Sequence, residues 1–305
     1  MDKVRTPDER FENLPDWPYA PRYVEISDGL RVHYVDEGPA DGPLVLLTHG
    51  EPTWSYLYRK MIPLLVDAGC RTVAFDLVGF GRSDKPTSGD DYSYEGHVGW
   101  FDEIVRAIGL RDITLFCQDW GGLLGLAHVT LHPNLYRAVV AANTGLPIGQ
   151  NHPLPQATVE WLEYSLKDPS DVGEIIGGDS PLNTNDYRGL SIDEKRAYNA
   201  PFPDETFRAG ARKFPRLIPN TVEHPSSAFC RRLYDGPVQA CQVPLLTVFG
   251  DLDTVTIQAE PVLQATFPGA AGMPHRQVAG ASHFIQEHAP EACVKAILDL
   301  HAQIA

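Results

Sequence analysis

One stretch of the chain carries its most distinctive chemistry, Ile113–Gly122, which reads ITLFCQDWGG. An apolar run of strand length ends at Gln118. Asp119 follows at once, then Trp120, two glycines and a helix-like run, LLGLAHVT, over 123–130. Strand, sharp turn and helix with one reactive residue at the apex is the arrangement of a nucleophile elbow, in which small flanking residues let the two backbones crowd together. The small positions here are Cys117 and Gly121, and the apex is aspartate where such elbows usually carry serine. A carboxylate is already ionised near neutral pH and needs no base to activate it. It attacks sp³ carbon by displacement and leaves an ester, which points to alkyl transfer onto aspartate and away from acyl transfer onto serine. The alternative for Asp119 is a plain helix cap, a position aspartate often fills.

Two more reactive side chains close apolar runs. Asp253 follows Pro244–Phe249 and Gly250, and His283 follows Arg276–Ala279. In open α/β sheets, ligands bind beyond the carboxyl ends of the strands. Nucleophile, acid, then histidine is also the chain order of α/β-hydrolase triads. His283 is therefore the candidate general base and Asp253 the carboxylate that orients it. Asp251 competes with Asp253 as either acid or turn residue; the offset after Gly250 favours Asp253. His288 competes with His283 but falls inside the start of the closing helix, where a solvated or capping role fits better. No role is assigned to the nine others of the 11 histidines.

The elements that would position these groups alternate. Tyr23–Ile26 and Arg31–Val35 read as an opening hairpin around Ser27–Gly29. Pro43–Thr48 is a continuous apolar run, as expected of a strand buried on both faces. It leads into HGEPTW over 49–54, and a helix is expected from Tyr56 to Ala68. A strand over 71–76 runs into a Gly-rich loop, 77–84, and a helix is expected over 94–108. Further strands are expected over 113–118, 136–142, 244–249 and 276–279, with helices over 256–267 and 290–304. Between 147 and 225 the pattern breaks into short helical segments with many prolines and no convincing buried strand. The expected architecture is an α/β core, a mostly parallel eight-stranded sheet flanked by helices, with a helical cap inserted between two of its strands. The core comprises 1–146 and 226–305, and the cap 147–225.

Bulk properties narrow the partners. The chain has 305 residues, 43% of them hydrophobic, and a formal net charge of -15. That charge disfavours nucleic acid and anionic membrane surfaces and leaves a small neutral substrate open. The N-terminal segment is charged and lacks the apolar core of a signal peptide, and no run approaches membrane-spanning length. The five cysteines are dispersed, without a Cys-x-x-Cys pair, as expected of free thiols in a reducing compartment. A cytoplasmic protein is expected, without metal or organic cofactor in its chemistry, and a monomer.

Several segments together resemble the haloalkane dehalogenases of the α/β-hydrolase fold. They are HGEPTWSYLYR over 49–59, DLVGFGRSDKP over 76–86, QDWG over 118–121, APFPD over 200–204 with ARKFP over 211–215, and ASHFIQE over 281–287. The Gly-rich loop is common to many α/β-hydrolases; the QDWG and HGEPT motifs are specific. The resemblance is to the branch whose second halide-binding residue is a tryptophan of the cap. It implies that Asp119 displaces halide from a haloalkane to form an alkyl ester, and that His283, held by Asp253, activates the water that hydrolyses it. It also implies an oxyanion hole of the backbone N–H groups of Glu51 and Trp120, and a halide site of the indole N–H groups of Trp120 and Trp161. An indole N–H donates and cannot accept, so it suits an anion. The front of the cap matches only around Glu160 and Trp161, and a core aromatic is the alternative reading of Trp161. Trp54 and Trp100 are expected to pack, and Trp17 has no evident role. Phe202, Phe207 and Phe214 line a pocket or pack the cap.

Two other functions compete. An epoxide hydrolase of the same fold also uses an aspartate nucleophile but needs cap tyrosines to protonate the leaving oxygen, and Tyr164, Tyr187 and Tyr198 are available. A non-catalytic hydrolase-fold receptor is the third reading, against which the Asp-Asp-His set argues. A fluoroacetate-type enzyme would want a cation for the substrate carboxylate, and no arginine accompanies the elbow.

Overall fold

The computed structural model describes residues 1–151, 153–167, 171–184 and 189–304. Its centre is an eight-stranded sheet: β1 (Arg22–Ile26), β2 (Leu30–Glu37), β3 (Leu44–Thr48), β4 (Arg71–Phe75), β5 (Ile113–Gln118), β6 (Tyr136–Ala142), β7 (Leu245–Gly250) and β8 (Arg276–Val278). The spatial order is β1-β2-β4-β3-β5-β6-β7-β8. β1 pairs antiparallel with β2, and β2 with β4; every other pairing is parallel. β3, β5 and β7 are buried along their whole length, which explains their unbroken apolar runs.

Helices α1 (Met61–Asp67), α2 (Tyr94–Ile108) and α3 (Trp120–Leu131) flank the sheet. α1 packs with the closing helix Pro290–Ile304, and α2 packs with α3. The boundaries of α2 follow from its sequence. Ser93 caps it by accepting from the Gly96 N–H, and Gly109 ends it in the left-handed region at φ 78°. The helix expected from Tyr56 instead begins at Met61, after a 3₁₀ turn over Ser55–Tyr58. Pro63 is the reason: proline is tolerated in a first helical turn and breaks an interior one.

Between β6 and β7 the described residues form helices without a strand of the central sheet. These include α4 (Gln156–Lys167), α5 (Val172–Gly177) and α6 (Ile192–Asn199). The sequence marks their starts: Asp171 caps α5, and Ser191 and Glu194 form a reciprocal capping box on α6. The lead-in is also built into the fold. Trp17 is buried edge-on against Trp54, Tyr19 and Tyr56, a packing role that its position alone did not reveal.

Candidate active site

Asp119 stands between β5 and α3 at φ 51° and ψ -130°, a backbone conformation that non-glycine residues rarely adopt. Its surroundings impose it. The Asp119 N–H donates to the Asn143 carbonyl at 3.0 Å, and the Asp119 carbonyl accepts from the Thr144 hydroxyl at 2.7 Å and the Gly122 N–H at 2.8 Å. The crowding that calls for glycine is measurable: a Cβ on Gly121 would lie 2.0 Å from the Thr48 carbonyl oxygen. The side chain of Asp119 makes no capping hydrogen bond to α3, so the plain cap reading fails.

That side chain faces two groups at once. Its Oδ1 accepts from the Glu51 N–H at 2.7 Å. Its Oδ2 lies 3.5 Å from Nε2 of His283. The other ring nitrogen of His283, Nδ1, lies 3.2 Å from Oδ2 of Asp253. Asp253 is buried and further held by the Val255 N–H and the Thr256 hydroxyl. Burial works against its charge, but His283 and these donors hold its carboxyl below the usual range. Asp251 plays a different part: it is exposed and accepts from the Gly280 N–H at 2.7 Å as a turn residue. His288 accepts from the Ser282 N–H at 3.0 Å and braces the loop that carries His283.

Burial also disfavours the His283 imidazolium, but the charges of Asp253 and Asp119 outweigh it and push the group up to about 10. Glu51 responds in the opposite sense. Burial, then the Asp119 charge, raise its carboxyl well above the ordinary range, against a smaller pull from His283. A neutral Glu51 side chain avoids adding a further negative charge beside Asp119. The amide of Trp120 opens α3 and is one of those a helix start leaves without an intrahelical partner.

A cavity of about 300 Å³ opens over Asp119 and Trp120 and is lined with Leu123, Leu146, Trp161 and Val262 among others. Its wall is mainly apolar, as suits a neutral organic substrate. Trp161, buried on α4, lines it and stacks on Tyr164 at 5.9 Å between ring centroids. Among the described residues, no side-chain or backbone acceptor takes the indole N–H of Trp120 or Trp161, whereas that of Trp54 donates to the Ala197 carbonyl. No tyrosine lines the cavity among the described residues. The Tyr198 hydroxyl is committed to Glu287, and Tyr187 lies outside the described residues. Phe214 packs edge-on against Trp120 and Phe80, and Phe202 against Phe80, so both are packing residues.

Four positioning residues escaped the reading of the sequence. Gln118 Nε2 lies 3.1 Å from Nε2 of His283 and donates to its carbonyl at 3.2 Å. Asn143 ties three strand ends together: its amide donates to the Ser282 and His283 carbonyls, and its oxygen accepts from the Gly250 N–H. Asp76 anchors the loop that carries Glu51 by accepting from the Ser55 N–H at 2.8 Å. Arg59, fully buried, pairs with Glu287 beyond His283 and with Glu194 on α6. Gln118, Asp76 and Arg59 lie inside quoted motifs, but only the fold shows what they touch.

The whole arrangement has close counterparts. Residues 43–290 match the family model of the alpha/beta hydrolase fold. A haloalkane dehalogenase of Psychrobacter cryohalolentis is 44% identical over 302 residues, 98% of this chain and 97% of that protein. The chain belongs to the haloalkane dehalogenases. These are hydrolases acting on carbon–halide bonds, and the eight-stranded architecture expected from the sequence is their fold. A haloalkane dehalogenase of Mycolicibacterium paratuberculosis is 43% identical over 291 residues, 94% of each chain. Among solved structures, the haloalkane dehalogenase DpaA of Paraglaciecola agarilytica matches with a TM-score of 0.85 at 32% identity, covering 98% of both chains. That dehalogenase is described as tetrameric, which does not fit the monomer expected from the sequence. No helix among the described residues is long and apolar enough to cross a membrane.

Proposed function

We propose that this dehalogenase works through Asp119, His283 and Asp253 in the roles that the sequence suggested. Oδ2 of Asp119 attacks the halogen-bearing carbon; the carbon–halogen bond breaks and halide leaves with the bonding pair. The product is an alkyl ester of Asp119. His283 then takes a proton from water, whose oxygen adds to the ester carbonyl, and collapse releases alcohol and restores the carboxylate. Oδ1 carries the charge of the tetrahedral intermediate, with the N–H groups of Glu51 and Trp120 as donors. The observation that supports this most is the two-sided hold on Asp119: an amide at 2.7 Å on Oδ1 and an imidazole at 3.5 Å on Oδ2.

Trp120 and Trp161 hold the departing halide by their indole N–H groups, as the resemblance to the branch with a cap tryptophan implies. Residues 147–225 serve as the cap over a core of 1–146 and 226–305. Short neutral haloalkanes fit the apolar cavity, and the epoxide reading is disfavoured by the lack of a cavity tyrosine among the described residues. Five buried free cysteines suit a reducing, cytoplasmic setting. Purified protein should release halide from short primary bromoalkanes after exhaustive chelation. Restoration of a lost activity by added metal, or turnover of trans-epoxides without turnover of any bromoalkane, overturns the proposal.

A further inference from the structure

Asp102 on α2 and His128 and His132 at the end of α3 gather away from the elbow. His128 lies roughly 13 Å along α3 from Asp119 at 1.5 Å per residue. The two histidines stand one helical turn apart, four residues from each other, and α2 packs beside them. Nε2 of His128 lies 3.2 Å, and Nε2 of His132 3.4 Å, from the same oxygen, Oδ1 of Asp102. One ligand atom from each residue falls within 4.8 Å of the others. A tetrahedral zinc ion with bonds of about 2.0–2.1 Å spaces its ligand atoms about 3.3 Å apart. The two measured separations match that edge.

The surroundings fit as well. Nδ1 of His128 shares a hydrogen bond with the Tyr136 hydroxyl, the kind of outer contact that fixes the ring of a metal-bound histidine. His128 is fully buried, while the side chains of Asp102 and His132 are 24% and 31% exposed, so the cluster is open to solvent on one side. Arg106 competes for the carboxylate, with its Nε 2.7 Å from Oδ2 of Asp102, but leaves Oδ1 to the histidines.

We propose that Asp102, His128 and His132 form a site for a divalent transition metal of the zinc type, which clamps α2 to α3. Two imidazoles and one carboxylate select Zn²⁺, Co²⁺, Ni²⁺ or Cu²⁺ over Mg²⁺ and Ca²⁺, and water completes the shell. Without metal, the Nε2–H group of His128 donates to Oδ1, and Nε2 of His132 lies 3.4 Å from the same atom. Metal binding moves the His128 ring to the tautomer with its proton on Nδ1, where it is donated to the Tyr136 hydroxyl oxygen. These histidines carried no signal in the sequence, because Asp102 joins them only through helix packing.

The test is a calorimetric titration of tag-free, chelator-treated protein with zinc chloride, repeated with His132→Gln and Asp102→Asn. Outer-shell partners of bound metals are worth about 10–100-fold in affinity, so losing a ligand should cost at least about tenfold. The expected result is one equivalent of zinc, bound at least about tenfold more weakly by each variant. Saturating zinc should also raise Tm by on the order of 5 °C in the unmodified protein and less in His132→Gln. No zinc binding, or unchanged affinity in either variant, overturns the proposal. Dehalogenation by metal-free protein is a separate readout and bears only on the Asp119 chemistry.

Discussion

Nε2 of His283 lies 3.5 Å from Oδ2 of Asp119, on the opposite side of the ring from Asp253. The imidazole is thus held between two carboxylates, and it is pushed up to about 10 against the effect of burial. While both carboxylates are charged they favour the imidazolium, a form that cannot act as a base. On the proposed mechanism, alkylation of Asp119 changes this, because the ester carries no charge and one of the two stabilising partners is lost. His283 then gives up its proton more readily, at the step where a base is needed. Gln118 Nε2, 3.1 Å away, can donate to the freed lone pair until water arrives.

The consequence is a pH dependence with a defined sign. The His283 ring of the free protein, followed by NMR, should titrate near 10. Hydrolysis of the preformed ester should instead rise with pH around a value lower by about one pH unit or more, since one neighbouring charge is gone. Rapid-quench single turnovers at several pH values measure the second quantity. Coincidence of the two values contradicts the switch.

Trp161 tests the halide site. Charge gathers on the departing halogen in the transition state, so a donor aimed there raises the chemical rate more than it tightens substrate binding. Trp161→Phe keeps the ring and much of its packing on Tyr164 but removes the N–H. By analogy with the loss of one oxyanion donor, the rate of halide release should fall on the order of 10²–10³-fold. Bromide should quench the fluorescence of the unmodified protein saturably, and the variant should saturate at higher bromide. Retained rate and retained bromide binding would reduce Trp161 to a packing residue.

Gly50 and Gly121 test how tightly the elbow is packed around the nucleophile. A Cβ on Gly50 would lie 2.2 Å from Oδ1 and 2.4 Å from Cβ of Asp119; Oδ1 can turn aside, but Cβ is fixed to the elbow backbone. A Cβ on Gly121 would meet the Thr48 backbone at 2.0 Å, where nothing can yield without moving a strand. Gly50→Ala should therefore displace Asp119, losing at least about 10²-fold in kcat together with some Tm, since small misplacements of reacting groups are costly. Gly121→Ala should lose Tm or fail to fold. Calorimetry together with initial rates checks both, and full activity in Gly50→Ala would contradict the placement of Asp119.

The elbow and the placement of Asp119, Asp253 and His283 were legible because they are local: β5, Asp119 and α3 are consecutive, and Asp253 and His283 each follow a strand run. What could not be read depends on pairing across the sheet. Asn143 gains its role only when β6, β7 and the His283 loop come side by side, and Asp76 only when β4 sits beside β3. The Arg59–Glu287 pair spans a sequence separation of 228, with no spacing to betray it. The choice of Asp253 over Asp251 rested on an offset, and it is the contact to Nδ1 of His283 that favours it. The front of the expected cap stayed obscure, and only Trp161 marked it.

The central claim is a covalent intermediate on Asp119, and His283→Ala examines it most directly. Asp119 needs no base to attack, whereas water does, so this variant should carry out the first step and stop. Mixed with 1,2-dibromoethane, it should release about one equivalent of bromide per enzyme and gain the mass of one bromoethyl group, as the displacement mechanism requires. Peptide mapping should place that group on Asp119. A variant that binds the substrate but stays unmodified, or an adduct mapped to Asp251 or Asp253, would contradict the account.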